Sequence, residues 1–348
     1  MSFEKHLILD DATVFEALAK LDFLAADAIL FVIDSERKLL GSLTDGDVRR
    51  GLLKGFKTDQ SVKDFIQKNP KFISKTNYSL EDIIKFRNGN FKIIPILDDF
   101  GKVINVINFR LFKSYLPVDA VIMAGGRGER LKPLTDSIPK PMLKVGDKPI
   151  IEHNIDRLIN FGIDDFWISI RYLGDQISDY LGDGKVKGVE INYLNEDFPL
   201  GTIGAVGKIQ DFKHNIVLVT NSDILTNINY EDFYLSFVNS GADLSVVTIP
   251  YDVSIPYAVL ETDNEFVVSF KEKPTYTYFS NGGIYLIKKE ILRLIPEDSR
   301  FDATELMEEI INKGGKVHSY PLHGYWLDIG KHEDFKKAET DIKHINLK

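Results

Sequence analysis

A glycine-rich segment near the middle of the chain has the residue types needed to hold a phosphate chain. The apolar residues Val121–Met123 lead into a run of small residues, and two cations follow: Ala124, Gly125, Gly126, Gly128, Arg130 and Lys140. Glycines let backbone N–H groups approach a phosphate closely because no Cβ is in the way. The segment predicts a triphosphate site, although a glycine run alone is equally typical of an ordinary strand-to-helix turn.

Two aspartates farther along the chain are candidates for metal binding. Asp223 ends the segment V-T-N-S-D, and Asp328 stands among apolar residues and glycines in G-Y-W-L-D-I-G. A buried carboxylate without a cation or a donor is costly. Two carboxylates together with phosphate oxygens suit Mg²⁺, which seldom uses an all-protein cage. Taken singly, Asp223 is also explained as a helix cap.

A third cluster has groups that could bind a phosphorylated sugar. Glu272 and Lys273 follow an apolar run and precede Asn281 and Gly282. The carboxylate and the amide could exchange hydrogen bonds with sugar hydroxyls, and the lysine could pair with a monophosphate. The alternative is a solvated, charged turn.

The elements that must position these residues alternate between strand and helix from Val118 onward. Apolar runs predict strands at 118–123, 165–170, 190–193, 216–220 and 244–248, with helices at 151–160, 175–181, 202–209 and 230–239. This alternation predicts an α/β fold with a doubly wound, mostly parallel sheet. Ligands of such sheets bind beyond the carboxyl ends of the strands, where the glycine segment lies.

The first third of the chain contains an internal repeat. A helix, two strands and a polar turn between them occur over residues 14–43 and again over residues 80–107. A repeat of this size indicates two similar supersecondary units that pack on each other. Pro117 is a suitable linker, so we expect domains at 1–116 and 117–348.

Composition excludes several functional classes. The chain has 348 residues, a net charge of −9 and no cysteine. The acidic balance argues against a nucleic acid partner, and the absence of cysteine excludes thiol nucleophiles and Cys-ligated zinc. The N-terminal residues lack the pattern of a signal peptide, and no apolar run is long enough to span a membrane. We therefore expect a cytoplasmic protein that is not bound to a membrane.

Taken together and in order, the motifs of residues 118–340 resemble the sugar-1-phosphate nucleotidyltransferase family. They are A-G-G-R-G-E-R-L-x-P-L-T, P-K-P-M-L, P-L-G-T-I-G-A-V, N-S-D, K-E-K-P, N-G-G-I-Y and G-Y-W-L-D-I-G. The resemblance implies a Rossmann-like domain that transfers a nucleoside monophosphate from an NTP to a sugar 1-phosphate. It assigns Arg130 and Lys140 to the triphosphate and Asp223 and Asp328 to Mg²⁺. It assigns Glu272, Lys273, Asn281 and Gly282 to the sugar phosphate.

The same resemblance addresses the choice of base. In this family the residue five positions before the glycine of P-L-G-T faces the base edge, and Gly201 and Thr202 adjoin the nucleotide. Uridylyl and thymidylyl members resemble one another in having Gln at that position, whereas this chain has Glu196. A carboxylate only accepts hydrogen bonds, and guanine offers two donors on one edge. GTP is therefore favoured; UTP or dTTP is the alternative, as is a Glu196 that merely faces solvent.

The repeat resembles a CBS (cystathionine-β-synthase-type) domain pair. The match is clearest over Gly41–Arg49, and in nucleotide-binding pairs the residues at Thr44 and Asp47 hold the ribose and phosphate region. The resemblance thus implies an adenine nucleotide at Thr44 and Asp47. The second copy has Leu111 where the aspartate would stand, which puts a second ligand site in doubt. A pair used only for packing is the alternative.

These expectations combine into one function. The chain is expected to make a GDP-sugar from GTP and a hexosamine, mannose or heptose 1-phosphate, for bacterial surface glycans, as a homo-oligomer. A different class of function is a nucleotide-sensing regulatory protein with an inactive transferase domain. Retention of Arg130, Lys140, Asp223 and Asp328 argues against that alternative.

Overall fold

The computed structural model describes residues 3–345, which form two compact units. The first unit comprises the residues up to Pro117 together with Ile159–Asp164 and Gly184–Glu190, and the second unit comprises the rest of the described chain. The two short segments fall in the range that the sequence assigned to the second domain. No helix of residues 3–345 combines the length and the apolar character needed to cross a bilayer.

Backbone hydrogen bonds explain why Ile159–Asp164 joins the first unit. The N–H of Lys113 donates to the carbonyl of Asn160 (2.6 Å), and the N–H of Leu116 donates to the carbonyl of Phe161 (3.1 Å). The ammonium of Lys75 also pairs with the Asp164 carboxylate at 2.8 Å. Residues 159–164 follow Pro117 in the chain. A domain boundary placed at that linker therefore assigns them to the second domain, although their contacts are with the first unit.

The first unit contains the internal repeat that the sequence predicts. Its strands and helices are β1 (Leu7–Leu9), α1 (Val14–Leu24), β2 (Leu30–Ile33), β3 (Leu39–Leu43), α2 (Asp45–Leu53), β4 (Ile73–Ser74), α3 (Leu80–Asn88), β5 (Ile93–Leu97) and β6 (Val103–Asn108). In the first copy, β1 pairs parallel with β2, and β2 pairs antiparallel with β3. In the second copy, β4, β5 and β6 repeat this pattern.

Side-chain caps fix where the helices of this unit begin. Thr44 is the N-cap of α2, and its hydroxyl accepts from the N–H of Asp47 while the Asp47 carboxylate accepts from the N–H of Thr44 at 2.9 Å. The hydroxyl of Thr44 also donates to Asp47 at 2.6 Å. This reciprocal arrangement satisfies two backbone donors that the first turn of a helix leaves unpaired. Thr44 and Asp47 therefore have a structural use, whatever else they bind.

The second unit is built on a seven-stranded sheet. Its strands and helices are β7 (Asp119–Met123), β8 (Lys144–Val145), β9 (Lys148–Pro149), α4 (Ile150–Asn160), β10 (Asp165–Ile170), α5 (Gly174–Leu181), β11 (Glu190–Asn195), β12 (Ile216–Asn221), β13 (Ile224–Thr226), α6 (Tyr230–Ser240), β14 (Leu244–Ser254), β15 (Val259–Asp263), β16 (Phe266–Lys271), β17 (Thr275–Lys288), α7 (Ala303–Asn312), β18 (Val317–Pro321), β19 (Trp326–Asp328) and α8 (His332–Asp341). The sheet order is β11-β10-β7-β12-β17-β14-β18. Residues at the end of α4 and the start of β11 belong to the first unit.

The directions of the strands confirm a mostly parallel sheet. β7 pairs parallel with both β10 and β12, and β14 pairs parallel with β18. β17 runs antiparallel to its neighbours β12 and β14. Because β7, β10 and β12 point the same way, the residues that follow them meet at one edge of the sheet.

One predicted helix is wrong. The segment predicted as a helix at 202–209 forms only the 3₁₀ helix Gly204–Lys208. Its glycines are packed tightly: a Cβ on Gly204 would lie 2.8 Å from the carbonyl of Ser299, and one on Gly207 would lie 2.9 Å from the side chain of Ile295. Glycine is a poor helix former, and here it is required for close packing instead.

The outer parts of β14 and β17, with the hairpin β15–β16, form an exposed extension that we call the arm (residues 250–280). Within the arm, Tyr251 pairs with Tyr278 across the β14–β17 ladder, and Val259 pairs with Lys271 across the hairpin. Most of its side chains are exposed, including Phe266, at 78%. The arm therefore contributes little to the core of this unit.

We predict that Thr44→Ala lowers the free energy of unfolding by about 1 kcal/mol, because the α2 cap is lost. Urea denaturation followed by circular dichroism would measure the change. Thr58→Ala, at an exposed position, is the matched control and should stay within about 0.5 kcal/mol of the wild type. Equal stabilities of the Thr44 and Thr58 variants would contradict a structural role for the cap.

Candidate active site

The glycine segment lies at the carboxyl end of β7, as the sequence predicts. The N–H of Ala124 donates to the carbonyl of Ser169 at 2.9 Å, which continues the β7–β10 pairing into the loop. Gly128 has a φ of +65°, and a Cβ there would lie 2.9 Å from Cβ of Lys140. The hydroxyl of Thr135 donates to the Gly128 carbonyl at 2.9 Å. The loop thus folds back so that Lys140 lies against its glycines.

Glu196 packs directly on this loop. Its side chain is 8% exposed, so the solvent-facing alternative is wrong. A Cβ on Gly125 would lie 2.5 Å from Oε1 of Glu196, so any larger residue there would displace the carboxylate. The hydroxyl of Ser169 donates to Oε1 (2.5 Å), and the N–H of Leu200 donates to Oε2 (3.1 Å). The carboxylate is therefore held in place at the loop, with further lone pairs free to accept hydrogen bonds.

A short pair of strands brings the two predicted metal ligands together. β13 pairs antiparallel with β19, and Ile224 lies opposite Asp328 in the register. The N–H of Ile329 donates to the carbonyl of Asp223 at 3.0 Å. Asp223 directly precedes β13, and Asp328 ends β19. The two carboxylates, far apart in the sequence, therefore become neighbours.

Lys140 joins this acidic pair. Its ammonium forms an ion pair with the Asp223 carboxylate and lies 4.0 Å from Asp328. The lysine side chain is only 12% exposed. Burial, and after it the negative charge of Asp223, raise the pKa of Asp328 above its ordinary value, while Lys140 and Arg130 oppose that shift. The cluster is an electrostatic balance between like-charged acids and nearby cations.

The acidic pair fits a hard divalent cation. Among the described residues, one oxygen of each carboxylate, Oδ1 of Asp223 and Oδ1 of Asp328, is buried and accepts no hydrogen bond. Buried acceptors are normally satisfied, so these two oxygens are suited to coordinate an ion. Within residues 3–345 there is no larger group of three or more His, Cys, Asp or Glu side chains arranged as a metal site. A metal bound here would use two carboxylates and complete its shell with substrate and water oxygens.

Arg130 lies next to the same cluster. A Cβ on Gly330 would lie 3.1 Å from its guanidinium, so the side chain packs over the glycine two residues beyond Asp328. The Arg130 side chain is exposed. Its charge is therefore both close to the acidic pair and accessible to an anion. The structure thus brings Arg130, Lys140, Asp223 and Asp328 together.

Gly201 and Thr202 anchor the loop that follows Glu196. Gly201 has a φ of +81°, and a Cβ there would lie 2.6 Å from the carbonyl of Phe301. The N–H of Thr202 donates to Asp302 at 2.9 Å, and the hydroxyl of Thr202 accepts from the N–H of Ala303 at 2.8 Å. Thr202 is thus engaged with the start of α7. In the structure its polar groups position the loop, and a nucleotide contact stays a prediction.

Asn281 and Gly282 lie where β17 passes from the arm into the central sheet. Oδ1 of Asn281 accepts from the N–H of Gly283 (2.9 Å) and the hydroxyl of Tyr285 (3.0 Å). The Gly282 carbonyl accepts from the indole of Trp326 at 2.9 Å, which connects it to β19 and hence to Asp328. A Cβ on Gly283 would lie 2.8 Å from the amide of Asn221, two residues before Asp223. These residues border the acidic pair.

Glu272 and Lys273 lie on the arm, in the link between β16 and β17. Both side chains are exposed, and Lys273 has a φ of +44°. Within residues 3–345 neither forms an ion pair or a side-chain hydrogen bond. The structure does not connect them to the acidic pair, so their role toward a sugar phosphate stays a prediction.

Two residues of the site were missed by the sequence reasoning. Ser169 orients Glu196 through a hydrogen bond. The only sequence signal for this role is that Ser169 is a small polar residue near the end of an otherwise apolar strand. The hydroxyl of Tyr172 donates to the carbonyls of Thr135 (3.2 Å) and Asp136 (3.0 Å), and its ring lies 5.2 Å from the Arg127 guanidinium. Tyr172 fastens the glycine loop, and no local pattern marks it.

Comparisons with known proteins agree with this geometry. Residues 119–344 match the family described as nucleotidyl transferase. The chain is 30% identical over 232 residues to a D-glycero-alpha-D-manno-heptose 1-phosphate guanylyltransferase of Aneurinibacillus thermoaerophilus, and the match covers 65% of this chain and 99% of that protein. It is 29% identical over 253 residues to a UTP–glucose-1-phosphate uridylyltransferase of Synechocystis sp., a match that covers 66% of this chain and 65% of that protein.

A solved structure has a similar fold. HddC from Yersinia pseudotuberculosis superposes with a TM-score of 0.50 at 29% identity, covering 65% of this chain and 99% of that chain. The similarity supports the mixed α/β fold with a mostly parallel central sheet.

We predict that Asp328→Asn, measured in excess EDTA, makes the protein at least as stable as the wild type at pH 8. The raised pKa of Asp328 means that the folded state holds this proton more tightly than the unfolded state. Wild-type stability therefore falls as the pH rises from the unfolded pKa, near 4, through the folded pKa. The advantage of the variant should then grow between pH 4.5 and pH 8 in urea denaturation.

The matched control is Glu339→Gln, at an exposed position on α8. Its stability relative to the wild type should not change with pH. A wild-type protein that gains stability over the Asp328 variant as the pH rises would contradict the raised pKa of Asp328.

Proposed function

The chain belongs to the nucleotidyl transferase family, and we propose that it transfers a guanylyl group from GTP to a sugar 1-phosphate, with release of pyrophosphate. The observation that carries this proposal is the placement of two different recognition groups around one glycine loop. Glu196 packs on Gly125. The cluster of Lys140, Asp223 and Asp328 approaches the same loop through Gly128.

The reaction needs few chemical groups from the protein. The nucleophile is a phosphate oxygen of the sugar 1-phosphate, and its second pKa near 6 leaves it ionised at neutral pH. No general base is then required. Catalysis consists of in-line positioning and of neutralising the attacked phosphate and the leaving pyrophosphate. We assign that positive charge to Lys140 and to Arg130, whose guanidinium lies beside Gly330.

We further propose that Asp223 and Asp328 hold Mg²⁺. Their buried Oδ1 atoms support this role, since each accepts no hydrogen bond among the described residues. When bound, the ion would stabilise negative charge on the phosphate under attack. The contribution of the chain is to hold the two carboxylates next to each other, with Lys140 and Arg130 opposing the rise in the pKa of Asp328.

The guanine preference rests on Glu196. Its carboxylate is fixed by Ser169 and by the N–H of Leu200, so it presents acceptors in a defined direction. Guanine has two adjacent donors, N1–H and N2–H₂, whereas uracil has a single donor between acceptors. The guanylyltransferase named among the relatives supports this choice. The uridylyltransferase among them keeps UTP as the alternative base donor.

The same relatives suggest which sugar to test, and the residues beside Asp223 and Asp328 suggest where it would bind. The heptose guanylyltransferase supports a manno-type heptose 1-phosphate as the first substrate to test. We assign the sugar contact to Asn281, which is bonded to Tyr285, and to Gly282, which is bonded to Trp326. We assign Glu272 and Lys273 to the sugar phosphate on the motif alone, and a contribution from them requires the arm to approach the cluster.

For the first unit we propose a CBS-type pair. Its support is the repeated order of a parallel strand pair followed by an antiparallel one. A nucleotide at Thr44 and Asp47 would compete with the α2 cap, because the Asp47 carboxylate already accepts from Thr44 and from Arg50. The adenine nucleotide proposed there would therefore have to use the remaining lone pairs of that carboxylate.

We predict that Asp223→Asn and Asp328→Asn each lower kcat by about 100-fold or more at limiting Mg²⁺. Each variant removes one charge from the metal site. Pyrophosphate release from GTP and a heptose 1-phosphate, followed with a coupled assay, is the measurement. Glu339→Gln should retain wild-type kcat, and near-normal turnover of either aspartate variant would remove that residue from the metal site.

We predict that GTP is the preferred nucleotide and that Glu196→Gln moves the preference toward UTP or dTTP. A guanine donor loses its acceptor, and the N–H of Leu200 loses its partner, at a cost of about 1–3 kcal/mol. The readout is the ratio of kcat/KM for the nucleotides. Asp197→Asn, at the exposed neighbouring position, is the control and should leave the ratio unchanged. A wild-type enzyme that prefers UTP would overturn the guanine assignment while leaving the transferase reaction intact.

A further inference from the structure

Arg171 is a partly exposed cation directly after β10. Its Nε is buried and has no hydrogen-bond partner among the described residues. Within residues 3–345 its guanidinium also forms no ion pair and no other hydrogen bond. Buried polar groups are normally satisfied, and a guanidinium has five donors to place. This side chain is therefore available to an acceptor on a ligand.

The backbone before Arg171 holds Glu196. The N–H of Glu196 donates to the carbonyl of Ile170 at 2.9 Å, and the hydroxyl of Ser169 donates to the Glu196 carboxylate at 2.5 Å. Arg171 is two residues beyond Ser169, a spacing that favours the same face of an extended chain. The free guanidinium therefore starts from a position next to the carboxylate proposed to contact the base.

The backbone after Arg171 is fastened to the glycine loop. The hydroxyl of Tyr172 donates to the carbonyl of Thr135 at 3.2 Å, and Thr135 is itself bonded to the Gly128 carbonyl. The N–H of Gly174 donates to the carbonyl of Arg171 at 3.3 Å, where α5 begins. Arg171 is thus fixed on both sides, between the segment that orients Glu196 and the segment that supports the loop.

Guanine has an acceptor edge next to its donor edge. N1–H and N2–H₂ donate, whereas O6 and N7 accept, and the planar fork of an arginine matches O6 and N7 with two parallel hydrogen bonds. Uracil and thymine have no N7. An arginine beside a carboxylate therefore suits guanine better than either pyrimidine base.

We propose that Arg171 binds O6 and N7 of guanine, while Glu196 accepts from N1–H and N2–H₂. This inference rests on the proposed transfer of a guanylyl group, and it adds a second specificity-determining residue to that site. With both contacts, the two side chains would read the donor and the acceptor groups of the same base.

A phosphate of the nucleotide is the other acceptor that a guanidinium could bind. Arg130 and Lys140 are the cations beside the acidic pair, where the triphosphate is proposed. The contacts of the segment around Arg171 instead lead to Glu196. We therefore assign Arg171 to the base, and the experiment includes the outcome expected for a phosphate contact.

Calorimetry on the full chain tests the inference with 7-deaza-GTP, in which a C–H group replaces N7. GTP, 7-deaza-GTP and UTP are titrated separately with Mg²⁺, and AMP is kept in excess to occupy the nucleotide site proposed in the first unit. We expect the wild type to bind GTP about tenfold more tightly than 7-deaza-GTP, because one charge-assisted hydrogen bond is lost.

Arg171→Met removes the guanidinium and keeps an unbranched side chain. The variant should bind GTP about tenfold or more weakly than the wild type, and should bind GTP and 7-deaza-GTP equally. Its affinity for UTP should change by less than about threefold, since UTP lacks N7. Arg293→Met, at an exposed arginine of the same unit, is the matched control and should keep the wild-type affinities.

The outcomes separate this inference from the function on which it rests. A wild type that binds no GTP, or that prefers UTP, overturns the guanine assignment and Arg171 with it. A wild type that prefers GTP but binds 7-deaza-GTP equally well overturns the role of Arg171 alone, and this comparison needs no variant to fold. Equal weakening of all three nucleotides in Arg171→Met would indicate a phosphate contact and would also overturn it.

Discussion

The arrangement of the second unit depends on holding two carboxylates next to each other at the edge of a sheet. Burial raises the cost of ionising Asp328, and repulsion from Asp223 adds to that cost. The strand pair β13–β19 enforces their proximity through its register and through the bond from the N–H of Ile329 to the carbonyl of Asp223. Lys140 and Arg130 offset part of the repulsion. The proposed divalent cation would offset the rest of the repulsion and so stabilise the cluster.

The same sheet also fixes the position of Glu196, the residue proposed to contact the base. Since β7 and β10 are parallel neighbours, the glycine loop and Ser169 lie at one edge. The hydroxyl of Ser169 in β10 donates to one carboxylate oxygen of Glu196, and the N–H of Leu200 in the following loop donates to the other. That loop is in turn tied to α7 through Thr202. The position of the carboxylate is therefore set by the core of the domain, so the base contact proposed for Glu196 would come from a fixed group.

The sequence predicts those features that are local. The strand of the glycine segment and most helices follow from short patterns, and the apolar residues around Asp223 and Asp328 mark both as candidate metal ligands. Their adjacency does not follow, because it depends on two three-residue strands, β13 and β19, whose pairing leaves no local signal. The segment at 202–209 misleads for a related reason: its glycines serve contacts with Ser299 and Ile295, which the sequence does not show.

Anomalous diffraction from crystals grown with Mn²⁺ and GTP is the most direct test of the metal site on which the account depends. The account predicts a manganese peak in contact with a carboxylate oxygen of Asp223 and one of Asp328, together with phosphate oxygens of the nucleotide. It also predicts the guanine edge within hydrogen-bonding distance of Glu196. Manganese bound to the triphosphate but coordinated by neither aspartate would contradict the central claim.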